Sequence, residues 1–150
     1  MIVTHATILS ARAQLIALPV APFVVRAHCV PASLSELRQA IASGEPLPVY
    51  SGHSDGTVWG DHALNHRFRA WHDSRHSALQ VDFDYAGENR AAKDATQYFQ
   101  GDDVRALVWA EVWGQVLHHE RYGAFPTNQL GFTLCAARRG VDIATATNWS

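Results

Sequence analysis

Apolar residues return with the three-and-four spacing of a helix over most of this chain. Ser33-Leu34-Ser35-Glu36 forms a capping box, in which Ser33 accepts a backbone N–H and Glu36 reaches back. Leu34, Leu37 and Ile41 then share one face, Gly44 is the stop, and Pro46 and Pro48 follow. Leu64, Phe68, Trp71 and Leu79 predict a second helix over 61–79, with Asp61 as its N-cap. A third is predicted over 87–99. Asp102 caps a fourth that runs to Tyr122 and ends at Gly123, and Thr127 caps a fifth that ends near Gly140.

Other segments lack that period. Residues 1–31 are apolar and β-branched up to Pro31, which predicts one or two strands or an extended N-terminal arm. Residues 45–60 are rich in Gly, Pro, Ser and Asp and predict an irregular loop or a short hairpin. Val81 to Tyr85 alternate and predict an extended link. Residues 141–150 carry no strong signal and are expected to form a fraying tail. The expectation is a mainly α, compact, bundle-like single domain of about five helices, with its helical core over 33–140.

Composition sharpens this picture. With 150 residues, 47% of them hydrophobic and 17% charged, the chain has material for one real core. The formal net charge of -2 gives no basic field for nucleic acid. The apolar run from Ala13 to Val25 is broken by Pro19 and Pro22 and is too short to span a bilayer, so it reads as a strand or arm, not as a signal or anchor. Cys29 and Cys135 stand far apart and read as reduced, buried thiols of a cytoplasmic protein.

Chemistry enters through polar residues placed on core faces, because a buried charge needs a partner. His72 and His76 are one helical turn apart and can aim two ring nitrogens at one metal ion. Asn65 and Arg69 continue the same stripe. Glu88 shares a face with Ala91, Ala92, Ala95 and Phe99. Glu111 sits within Val104–Leu117, a run that is apolar almost all round, and Gln115, His118 and Tyr122 follow it on one side. Such a carboxyl must be protonated, ion-paired or metal-bound. The predicted ligands are His72, His76, Glu111 and Glu88, for a divalent ion such as Zn, Mn or Fe. A buried hydrogen-bond network, with Glu111 paired to Arg69, is the structural alternative.

The segment His72-Asp73-Ser74-Arg75-His76 carries two partial resemblances. Its His-Asp pair resembles the centre of the HD-domain phosphohydrolases, which implies a helical fold and a metal-activated water. That family also needs an upstream His, and His28 and His53 both fall in non-helical sequence. The five residues also resemble the zincin motif HExxH, with Asp73 standing where Glu belongs. The chain is assigned to neither family. There is no Walker loop, G-x-G-x-x-G, nucleophile elbow or C-x-x-C.

The expected function is a metal-dependent hydrolase. Its metal would lower the pKa of a bound water, with Glu88 or Asp73 as base and Arg69 holding a small anionic substrate, a phosphoester or nucleotide. The alternatives are a zincin-like peptidase, a carboxylate/His iron protein, and a non-enzymatic binding or inhibitor protein with a buried polar network.

Overall fold

Ile8, Ala11 and Leu15 are three and four residues apart, and they form the buried face of helix α1 (His5–Ala17). The structure, a computed structural model, describes residues 2–149. Its first segment corrects the expectation of a strand or extended arm over 1–31. The β-branched residues there suggested extension, but the helical period of Ile8, Ala11 and Leu15 decides the outcome. Thr7 Oγ1 accepts from the Thr4 backbone N–H at 3.0 Å and donates to Asp103 Oδ2 at 2.7 Å, which ties the start of α1 to the start of the helix that begins at Asp102.

Beyond α1 runs a short β-α-β unit. Strand β1 (Phe23–Arg26) pairs in parallel with β2 (Leu47–Tyr50), Phe23 opposite Leu47, and α2 (Leu34–Ala42) crosses between them. Parallel strands require such a crossover. The hairpin expected within 45–60 is therefore absent; the partner of 47–50 lies upstream of α2. At the head of α2, Ser33 Oγ accepts from Glu36 N–H at 3.2 Å and Glu36 reaches back to Ala32 N–H at 2.7 Å. Leu37, Leu47, Val49 and Ala70 form a small core beneath this unit.

Helix α3 (His62–Leu79) starts at Asp61, whose Oδ1 accepts from Leu64 N–H at 2.7 Å, and ends at Gln80 in the left-handed conformation. Its apolar face enters the main core, where Trp59 stacks on Phe68 at 4.5 Å and Trp71 meets Phe99 edge-on at 6.0 Å. Helix α4 (Tyr85–Thr96) begins two residues before the predicted start, because Asp84 caps it through Gly87 N–H at 2.8 Å. The link before it is a set of bends, not a strand. Gly87 is required there: a Cβ would lie 1.9 Å from the Asp82 carbonyl oxygen. Ala91, Ala92 and Ala95, each at 0% exposure, let α4 approach the next helix closely.

That next helix is continuous in direction but not in winding. It comprises α5 (Asp102–Trp109), a π turn (Ala110–Gly114) and α6 (Gln115–Tyr122), ended by Gly123 with φ 74°. Asn128, not Thr127, caps α7 (Gln129–Arg139), accepting from Gly131 N–H at 3.0 Å. The expected tail carries helix α8 (Val141–Thr145), with Val141, Ala144 and Thr145 buried. The fold is mainly α and compact, and among the described residues no helix is long and apolar enough to cross a membrane. Both cysteines are free, and Cys29 is exposed where burial was expected.

Candidate metal centre

His72 and His76 lie one turn apart on α3, and Glu88 stands in the first turn of α4, which packs beside it. An ion pair fastens the two helices: Arg75 Nε and Nη2 donate to Asp94 at 2.7 and 3.1 Å. This contact and the Gly87 approach bring three donor atoms together. His72 Nε2 is 3.2 Å from His76 Nε2, and Glu88 Oε2 lies 3.3 Å from the first and 3.4 Å from the second. Zinc bonds of about 2.0–2.1 Å at tetrahedral angles put neighbouring ligand atoms about 3.3 Å apart. The three atoms thus outline one face of a zinc-sized tetrahedron. An octahedral ion with similar bond lengths needs a tighter face, with edges of about 3.0 Å.

The orientation of the His76 ring fits this use. His76 Nδ1 faces the Val81 carbonyl oxygen at 3.2 Å; a carbonyl only accepts, so Nδ1 carries a proton, and it is the neutral ring that would offer its Nε2 lone pair to an ion. The His72 ring stacks on Phe68 with centroids 5.8 Å apart and planes 11° apart, and its buried Nδ1 has no partner among the described residues. Burial disfavours the Glu88 carboxylate, yet the two imidazoles overcome it and hold its pKa down to about 2. Burial likewise opposes a charge on His76, but Glu88 and the Val81 carbonyl raise its pKa.

A cavity of about 290 Å³ opens on this cluster. His72, Asn65 and Arg69 from α3, Glu88 from α4, and Glu111 and Gln115 from the π turn and α6 line it, and Phe68, Val112, Val116 and Phe125 supply apolar surface. His76, fully buried, lies behind the wall. Arg69 donates to the carbonyls of Tyr50 at 2.6 Å and His53 at 3.0 Å, pinning the end of β2 and the following loop to α3. Burial lowers its pKa, and among the described residues no carboxylate pairs with it.

Glu111 is set by the π turn, a distortion of the kind that recurs at functional sites. It accepts from Thr133 Oγ1 at 2.7 Å and from Gln115 Nε2 at 3.3 Å. Burial raises its pKa, and these neutral donors and Arg69 only partly counter that. Of the four ligands predicted, the structure brings three together; Glu111 lines the same cavity but lies outside the donor cluster. Asp73 is pushed up to about 6 by burial, partly offset by His72 and His76, and does not line the cavity. His118 is remote in role: its Nδ1 donates to the Ala124 carbonyl at 2.8 Å.

No family model, curated protein or solved structure matches the chain. The site is therefore read from its own geometry. That geometry includes residues not foreseen in the sequence. Thr133 is a polar residue among Phe132, Ala136 and Ala137 on the buried face of α7, a signal of the same kind as the one that exposed Glu111. Phe125 and His53 come from loops and offered no periodic signal.

Proposed function

We propose that this protein is a metal-dependent hydrolase, with His72, His76 and Glu88 holding one divalent ion, zinc by preference. The observation that carries the reading is the set of 3.2, 3.3 and 3.4 Å separations among their donor atoms. Two imidazoles and one carboxylate leave a coordination position for water, whose pKa such an ion lowers to about 7. The same donor set also suits non-haem iron, but the spacing favours the tetrahedral ion.

The Arg69 guanidinium on the cavity wall, held by two backbone carbonyls and with no carboxylate in ion-pair distance among the described residues, favours an anionic substrate, and so a phosphoester over a peptide. An ion held there would supply a water deprotonated near neutrality, its proton lost to solvent; in a phosphoester the bond from phosphorus to the leaving oxygen would break as the new phosphorus–oxygen bond forms, and that leaving oxygen would take a proton. Glu111 is our candidate donor of that proton, since its surroundings favour the protonated form. Glu88 then serves as ligand and not as base. Free cysteines suit a reducing, cytoplasmic setting.

The test is release of inorganic phosphate from p-nitrophenyl phosphate and nucleoside monophosphates by the zinc-reconstituted full chain, beside a casein peptide panel. We expect phosphate release that chelation abolishes and that Glu111→Gln lowers by about 100-fold in kcat. Cleavage of peptides alone, or turnover unaffected by chelation, would overturn the proposal.

A further inference from the structure

Helix α1 is apolar on two sides. Ile8, Ala11 and Leu15 are buried in the main core, while Ala6, Leu9, Ala13 and Ile16 are exposed, Leu9 at 51% and Ile16 at 59%. At about 100° per residue these four fall within about 80° of arc, on the side away from the core. Ile2, 79% exposed, stands seven residues before Leu9 and continues the stripe beyond the helix start. A surface helix turns charged residues to that side, and a helix apolar all round is one that is covered on both. His5 and Arg12 are the only ionisable residues in the α1 sequence, and Arg12 Nε donates to the Val58 carbonyl at 2.8 Å, drawn towards the loop before α3.

The spacing says what covers it. Positions 6, 9, 13 and 16 are separated by three, four and three residues, the step of a two-helix seam, and they alternate small and large as Ala, Leu, Ala and Ile. A parallel pair would set Ala against Ala and Leu against Leu, so gaps and crowding would alternate. An antiparallel pair with its two-fold axis level with Ala11 sets Ala6 opposite the partner's Ile16 and Leu9 opposite the partner's Ala13, and the same two layers repeat beyond the axis. Small then meets large in every layer, which fills the seam without voids. Ala11 is also the midpoint of His5–Ala17, so this register pairs α1 over its whole length. A surface that matches its own copy under a two-fold rotation is what an isologous contact requires. A lipid surface instead draws in helices whose apolar stripe is flanked by several Lys and Arg, and α1 has the single Arg12.

We propose that the outer face of α1 is a homodimer seam, covered by α1 of a second copy in antiparallel register about Ala11. A 13-residue helix is about 20 Å long and about 10 Å wide. A seam of that footprint is smaller than the roughly 800 Å² per partner of a standard interface, so the dimer belongs to the weak, concentration-dependent class. The cavity at the metal centre takes no residue from α1, so the seam stands apart from the hydrolase reading.

The experiment is sedimentation velocity of the full chain from about 1 to about 500 µM, a range chosen to bracket a weak dimer. It is run on the wild type, on Leu9→Lys, on Ala13→Glu and on an equimolar mixture of the two variants, with circular dichroism on each to confirm folding. Both positions are exposed, so neither substitution enters the core. The wild type should dimerise with a Kd on the order of tens of micromolar, and each variant alone should weaken that at least about tenfold. In the mixture the introduced ammonium on one chain faces the introduced carboxylate on the other, directly so only in the antiparallel register, and the mixed dimer should form more tightly than either variant with itself. The wild type is also floated with phosphatidylcholine vesicles. A wild type that stays monomeric over the whole range, whether or not it floats with the vesicles, overturns the proposal. So does a dimer that both substitutions leave intact, or a mixture no tighter than its components.

Discussion

Glu88 and Glu111 line one cavity from different helical elements, and their surroundings drive their proton affinities apart. Glu88 stands on the α3–α4 wall, where two imidazoles and the start of a helix favour the carboxylate. Glu111 stands on the wall built from the π turn and α7, where burial dominates and its bonded partners are the neutral Thr133 and Gln115. Two carboxyl groups of the same type thus suit two different tasks: a permanent anion that holds a cation, and an acid that keeps its proton. The difference comes from neighbours on other elements and is not a property of either residue alone.

The largest effect expected from breaking this contrast is on the anionic wall. His76→Ala or Glu88→Ala should weaken zinc binding by about 100-fold or more in a competition titration with a chromophoric chelator, while Glu111→Gln leaves it within a few-fold. A similar loss in all three would place Glu111 among the ligands and dissolve the contrast.

Stability against pH probes the two carboxyls in metal-free protein. The lowered pKa of Glu88 stabilises the fold fully above the unfolded value of about 4.3, and this is lost as pH falls towards 2. Glu88→Gln should therefore cost about 3 kcal/mol near neutrality, a term shared with both imidazoles, and little in acid. The raised pKa of Glu111 has the opposite sign: its contribution is favourable below about pH 4.3 and is lost as pH rises through the folded value. Glu111→Gln should then raise Tm by a few degrees at pH 8 and by nothing at pH 4. Thermal melts of both variants across this range would show one loss and one gain; two losses would contradict the account.

Smaller changes sharpen the same picture. Thr133→Val removes the 2.7 Å hydrogen bond to Glu111 and should cost about 1–2 kcal/mol in urea unfolding. Arg75→Met removes the half-buried pair that fastens α3 to α4 and should cost about 1 kcal/mol. A larger zinc-affinity loss from Arg75→Met than from Thr133→Val would show that the α3–α4 spacing, not the cavity polarity, sets the triad.

The sequence exposes these features unequally. The helical period of Leu64, Phe68 and Trp71 and the cap at Asp61 were enough to place α3, and with it His72 and His76 on one stripe. Glu88 was legible because it leads the alanine face of α4. What stayed hidden depends on contacts between distant segments. The pairing of β1 with β2 needs a crossover, the helical period of α1 was masked by its β-branched residues, and the π turn that displaces Glu111 leaves no mark in the apolar pattern. Thr133 acquires its meaning only when α7 packs against the π turn.

The central claim is that the α3–α4 wall binds a metal ion. Elemental mass spectrometry after zinc loading and desalting of the full chain tests it most directly, with His76→Ala and Glu111→Gln prepared in parallel. The account predicts one zinc per wild-type and Glu111→Gln chain and none in folded His76→Ala. A wild-type chain that retains no metal, or a His76→Ala chain that retains as much as the wild type, would contradict it.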